Sequence, residues 1–102
     1  MKKALIVVDV QNDFCEGGAL AVPGASEAIS YINMLMEENE YDEIVLTQDW
    51  HPENHKSFAS NNGRNVGETI NLNGLPQFMW PDHCVQGTHG AEFHKELNRS
   101  KV

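Results

Sequence analysis

The sequence predicts an α/β fold built on a parallel sheet, and three stretches carry that prediction. Ala4–Val8 (ALIVV) is a continuous apolar run rich in β-branched residues. Glu43–Gln48 (EIVLTQ) is a second apolar run of strand length. Between them, Ala25, Ala28, Ile29, Ile32, Leu35 and Met36 recur at the i, i+3, i+4, i+7 spacing of one helix face. Strand, helix and strand in this order form a βαβ unit, whose crossover is right-handed in nearly all known cases.

Each element has a local cause. An unbroken apolar run such as Ala4–Val8 suits a strand covered on both faces, as in parallel sheets. Asp9–Gly18 is polar and ends in Gly17-Gly18, so it reads as a loop. Pro23-Gly24 opens the helix, and the polar tail Glu37-Glu38-Asn39-Glu40 ends it. From Trp50 to Gln86 no period is sustained, and a loop that long in a compact domain is usually functional. Asn61-Asn62-Gly63-Arg64-Asn65 reads as a loop tip, and Gly90–Leu97 as a short helix. The chain shows no internal repeat and no low-complexity tract. Two strands and one helix do not complete a sheet with its own core.

The composition sets outer limits. At 102 residues the chain fits one small domain. With 7 Lys+Arg against 15 Asp+Glu, its net charge of −8 opposes non-specific nucleic-acid binding, which depends on neutralising phosphates. The same charge opposes a polybasic membrane-surface role. No apolar run approaches the ~20 residues of a membrane span, and Ala4–Val8 is too short for the core of a signal peptide. Cys15 and Cys84 do not make a disulfide framework, so a reducing cytoplasmic setting is expected.

Several side chains could carry chemistry. In Asp49-Trp50-His51, residues i and i+2 at a strand end point to one side. A carboxylate and an imidazole would then converge, as a first-row metal requires. The alternative is an Asp that caps a turn beside a solvent-facing His. His55 lies past Pro52 and could curl back as a further ligand. His83, in the stiff segment Trp80-Pro81-Asp82-His83-Cys84, is either a distant third ligand or a surface-loop His. One Asp with two His suits zinc, iron or manganese. Asp9 follows the first strand at the carboxyl end, where open α/β sheets place their sites. It is a candidate general base, or simply the residue that starts the turn. Cys15 and Cys84 are the only thiols. Cys84 adjoins His83, but neighbours in an extended chain face opposite ways, so both read as buried and inert. Phe14, Trp50, Phe78 and Trp80 flank these polar groups and could wall a pocket for a flat ring. No P-loop, G-x-G-x-x-G or G-x-S-x-G is present.

Together the stretches Ala4–Leu20 (ALIVVDVQNDFCEGGAL), Val22-Pro23-Gly24, Thr47–Phe58 (TQDWHPENHKSF) and Trp80–His94 (WPDHCVQGTHGAEFH) resemble the nicotinamidase/pyrazinamidase family of isochorismatase-like cysteine hydrolases. DVQNDF is shared across that superfamily, whereas D-W-H-P with W-P-x-H-C is much more specific to nicotinamidases. The resemblance implies a three-layer αβα fold around a parallel sheet. Of this fold, residues 1–102 would supply the N-terminal strands, the first helix and the metal-binding loops. It implies that Asp9 is catalytic, that Asp49, His51 and His83 are metal ligands with His55 as a further candidate, and that Phe14 and Trp80 hold a pyridine ring. The implied cofactor is a divalent metal, zinc foremost, with iron or manganese as alternatives. The implied reaction is hydrolysis of nicotinamide to nicotinate and ammonia in NAD salvage, with pyrazinamide as a second substrate.

The family triad also needs a Lys on a later strand and a nucleophilic Cys at a later strand-to-helix turn. Neither has a counterpart here, and neither Cys15 nor Cys84 matches the nucleophile's motif. The expectation is therefore the N-terminal part of a single hydrolase domain, inactive alone. A homo-oligomer or a complementing C-terminal half would be its partner. The competing readings are a non-catalytic metal-binding fragment, half of a split hydrolase, or another isochorismatase-like amidase.

Overall fold

The computed structural model describes all 102 residues. Strand β1 (Ala4–Val7) and strand β2 (Glu43–Leu46) pair in parallel, with Ala4 opposite Glu43 and Val7 opposite Leu46. Helix α1 (Ala25–Glu38) forms the crossover between them. The βαβ unit is therefore where the apolar periodicity places it.

The register assigns the faces. Leu5, Val7, Ile44 and Leu46 lie on one side, because side chains alternate along a strand. Val7 and Ile44 join Met36 of α1 and Leu97 in the core, with Ile32, Tyr41 and Phe93 packed around them. The helix begins after Gly24, whose φ of +83° is a left-handed conformation that glycine adopts without penalty. It ends at Asn39, whose backbone and side-chain N–H groups both donate to the Leu35 carbonyl.

The opposite sheet face differs from expectation. Ile6 is 62% exposed and Val8 66%, so the strand is covered on one face only. Val45, paired with Ile6 across the two strands, is 41% exposed.

The region from Trp50 to Gln86 is more ordered than its lack of period suggests. It contains a hairpin of β3 (Thr69–Leu72) and β4 (Leu75–Phe78), paired antiparallel. Asn73-Gly74 forms the two-residue turn, with φ of +54° and +86°, the left-handed pair that a tight hairpin prefers. The loop tip at Asn61 and Asn62 is tied back to the chain that precedes it. The Asn61 amide donates to the carbonyls of Glu53 and His55, and the Asn62 amide to those of Lys56 and Phe58.

The short helix expected at Gly90–Leu97 is not formed. A single 3₁₀ turn spans His89–Ala91, and Glu92 is extended. The reason is pairing elsewhere: Asn12 N–H donates to Glu92 O at 3.0 Å, and His94 N–H to Val10 O at 3.0 Å. Those bonds use backbone groups that a helix would need for itself. No helix is long and apolar enough to cross a membrane.

Candidate functional site

The site grows from the carboxyl ends of β1 and β2. Asp9 leaves β1 with φ of +55°, a left-handed conformation that Asp tolerates better than most residues. Its backbone N–H donates to the Thr47 carbonyl and hydroxyl, and the Thr47 hydroxyl donates back to Asp9 Oδ1 at 2.7 Å. Beyond β2 the chain runs through Asp49 to His51, which forms an isolated bridge. His51 N–H donates to Cys84 O at 2.9 Å, and Gln86 N–H to His51 O at 2.8 Å, forming a parallel bridge between His51 and Val85. Segments far apart in sequence are thus stitched side by side.

This stitching brings Asp49, His51 and His83 together. One donor atom from each lies within 4.8 Å of the others. Asp49 Oδ2 and His51 Nε2 are 3.5 Å apart. His83 is only 6% exposed, and its Nδ1 sits 2.7 Å from the Pro81 carbonyl. A carbonyl only accepts, so Nδ1 carries the proton and Nε2 presents its lone pair, the arrangement that orients metal-ligating imidazoles. One carboxylate and two imidazoles form a mixed N/O set that suits a divalent first-row cation. Chemically, the residues present fit such an ion.

His55 is close but differently set. Its ring lies 4.6 Å from that of His51, centroid to centroid. The Ser57 backbone N–H donates to His55 Nδ1 at 3.1 Å, and the Ser57 hydroxyl is 2.7 Å from the same atom. With Nδ1 accepting, the neutral ring carries its proton on Nε2. Burial holds this imidazole below its ordinary pKa, helped by the neighbouring His51 and His83. It stands outside the group of three converging donors.

These side chains border a cleft of about 420 Å³, which Phe14, Trp80 and Gln77 also line. The Phe14 ring is 5.8 Å from His83, and Trp80 packs against Phe78 at 4.4 Å. The sequence-derived candidates Phe14, Trp80, Asp49, His51, His55 and His83 therefore share one cavity. Asp9 does not line it. It opens onto an adjoining apolar groove of about 210 Å³, with Phe14 as the wall common to both.

The thiols are both buried and unpaired. Burial is the main cause that pushes the Cys84 thiol up to about 12, reinforced by Asp13, Asp49 and Asp9. Burial also raises Cys15, with Glu16 adding to it. Cys84 is not extended: its φ is +49°, so the alternation expected beside His83 does not apply.

Three residues of the site were missed by spacing. Phe58 is fully buried, with its ring 5.4–5.6 Å from those of His51, His55 and His83. Gln11 is fully buried and bonded to the backbone of Asp49. Asp13 accepts the Cys84 N–H at 2.8 Å. All three lie inside the motif-bearing stretches, but only tertiary contacts reveal what they touch.

Comparisons with known proteins identify the family of the fold. The family model of the isochorismatase domain matches residues 3–101. A nicotinamidase of Acinetobacter baylyi is 57% identical over 96 residues, which cover 93% of this chain and 44% of that protein. Among solved structures, a nicotinamidase/pyrazinamidase of Acinetobacter baumanii superposes with a TM-score of 0.89 at 52% identity, covering 99% of this chain and 48% of the other. A pyrazinamidase of Pyrococcus horikoshii in complex with zinc gives a TM-score of 0.65 at 42% identity, covering all of this chain and 50% of the other. The chain spans about half the length of the curated relatives it matches.

Proposed function

This chain belongs to the isochorismatase domain family, and from that premise we propose that it carries the metal-binding and ring-binding side of an amidase site. The site would hydrolyse nicotinamide to nicotinate and ammonia, with pyrazinamide as a second substrate, in cytoplasmic NAD salvage. The observation that supports this is the convergence of Asp49, His51 and His83 in a cleft walled by Phe14 and Trp80. The names of the relatives point the same way.

Asp49, His51 and His83 would hold the divalent cation. Zinc is the first choice, since a zinc complex is known for one structural relative, and iron or manganese suit the same donors. Its chemistry is Lewis-acid attraction for the ring nitrogen, which positions the substrate. Phe14 and Trp80 would clasp the flat ring. His55, with its proton on Nε2, would present a hydrogen-bond donor at the margin of the donor set. Asp9, whose Oδ1 is held by Thr47, would take the proton of the attacking thiol.

Neither Cys15 nor Cys84 suits that attack, because both are buried and both thiols are pushed up. The nucleophile is therefore assigned to chain outside residues 1–102. In this reading residues 1–102 bind metal and release no ammonia by themselves. Titration calorimetry with zinc tests the first part: the protein binds, and His83→Ala binds at least about tenfold more weakly. An ammonia-release assay tests the second. Nicotinamide turnover by residues 1–102 that is abolished by Cys84→Ser would overturn the nucleophile assignment. Zinc affinity unchanged by both His51→Ala and His83→Ala would overturn the metal centre.

A further inference from the structure

The residues Gln11, Asn12 and Asp13 join both halves of the donor set from behind. Gln11 is fully buried, and its carboxamide engages both backbone groups of Asp49. Its Nε2 donates to the Asp49 carbonyl at 2.8 Å, and its Oε1 accepts the Asp49 N–H at 2.9 Å. A second Nε2 bond reaches Ala91 O at 2.8 Å. Asn12 donates from its side chain to His89 O at 2.8 Å and from its backbone to Glu92 O at 3.0 Å. Asp13 Oδ2 accepts the N–H of Cys84 at 2.8 Å, one residue beyond His83.

We propose that Gln11 and Asp13 are positioning residues for the metal centre, a latch that sets the spacing of the Asp49–His51 segment against His83. The proposal rests on the metal-binding part of the function proposed above. No other side chain bonds to the backbone of Asp49, so Gln11 is the side chain that anchors the start of that carboxylate. On the other side, Cys84 is a non-glycine residue with φ of +49°, and such conformations persist only where surrounding contacts hold them. The Asp13 carboxylate supplies one of those contacts through a charge-assisted bond. The latch is also closely packed. A methyl group added at Gly90 would run into the Asp13 carboxylate, and one at Gly18 into the Asn12 and Asp13 carbonyls. Neither Gln11 nor Asp13 lines the cleft that holds the donors, so each acts through the residue it grips.

The distinction between a positioning role and mere support lies in coordination. Cobalt(II) substituted for the native metal reports coordination geometry through its visible absorption bands. Gln11→Met keeps the side-chain length and removes all three carboxamide bonds. Asp13→Leu breaks the other arm independently, and Asp13→Asn retains an acceptor oxygen for Cys84. Asn33→Leu is the control. Its part-buried carboxamide likewise clamps backbone but does not line the cleft, donating to Glu96 O at 2.8 Å and accepting the Asn98 N–H at 2.8 Å.

Disturbed outer-shell partners typically weaken metal binding by about 10–100-fold. Gln11→Met and Asp13→Leu are each expected to lose affinity on that scale and to alter the cobalt bands. Asp13→Asn should restore both, and Asn33→Leu should lower the melting temperature while keeping wild-type affinity and bands. Wild-type affinity and spectra in Gln11→Met or, should that variant not fold, in Asp13→Leu would overturn the latch. So would an equal loss of affinity in Asn33→Leu. Failure of the unmutated protein to bind cobalt or zinc would instead remove the metal centre on which the latch rests.

Discussion

Replacing Phe58 by alanine separates the scaffold of the cleft from its candidate metal donors. Phe58 is fully buried and packs against all three cleft histidines, yet it has no polar atom to offer. Truncating such a phenylalanine costs about 3–5 kcal/mol through lost burial and residual cavity. Only 13 of the 102 residues are buried, so that is a large part of a typical margin of roughly 5–15 kcal/mol. At about 4–8 °C per kcal/mol for a domain of this size, the melting temperature should fall by about 12 °C or more. A second effect is specific to the site. A metal at a hundred times its dissociation constant stabilises the folded state by about 2.7 kcal/mol, and a tenfold loss of affinity cuts that increment to about 1.4 kcal/mol. Thermal melts with zinc and with chelator measure both quantities in one experiment. A loss below about 1 kcal/mol in chelator would show that the ring is dispensable to packing. A full zinc increment in Phe58→Ala would show that the histidines do not need it for orientation.

Three further outcomes follow from single groups. His55→Ala should leave zinc affinity within about threefold of wild type, while His83→Ala lowers it about tenfold or more. An equal loss in both variants, read by calorimetry, would place His55 in the donor set. The Cys84 thiol, pushed up to about 12 mainly by burial, should resist alkylation at pH 8 in the folded protein and react once denatured. Its folded pKa lies above its free value, so its contribution to stability is present below about 9 and lost as the pH rises towards about 12. Stoichiometric labelling of the native protein, seen by mass spectrometry, would refute this. Glu16 accepts bonds from the Ser26 N–H and hydroxyl at the start of α1. A bond from its own backbone N–H and those from Ser26 hold its carboxyl below the ordinary value. A depressed folded pKa stabilises above the unfolded value, and that contribution disappears as the pH falls through the folded one. A carboxyl titration by NMR should find its midpoint below that of a free Glu side chain, and Ser26→Ala should move it back up.

Local pattern made the βαβ unit legible and failed at its surroundings. Ala4–Val8 and Glu43–Gln48 announce strands because their apolar runs fit no other period, and α1 because its stripe recurs as a helix requires. Coverage of both strand faces was not readable, since burial depends on what packs there, and Ile6 and Val8 lie open. The β3–β4 hairpin had a readable signal in Asn73-Gly74, which the short flanks and Pro76 within the second of them concealed. The Gly90–Leu97 stretch failed for the opposite reason. Its composition permits a helix, but pairing with Val10 and Asn12 removes it. In the site, Asp49, His51 and His83 were legible as residue types, whereas their convergence depends on the bridge between His51 and Val85.

The DVQNDF string shows why a motif can be recognised without being understood. Read as chemistry, it offers Asp9 and leaves Gln11 and Asp13 as unremarkable polar residues in a loop. Read in three dimensions, the polar residues are spaced so that alternate side chains reach different segments. Gln11 reaches Asp49, and Asp13 reaches Cys84, across separations of 38 and 71 residues. A buried carboxamide with unmatched donors is costly, so Gln11 is tolerable in the interior only because the Asp49 backbone and Ala91 satisfy it. That requirement works in both directions. If Asp49 shifts, Gln11 loses partners, and if Gln11 is lost, two backbone groups of Asp49 lose theirs. In the latch proposed above, the energetic penalty for an unmet bond at Gln11 would hold the geometry of the donor set. A change at residue 11 should therefore register as altered coordination as well as lost stability.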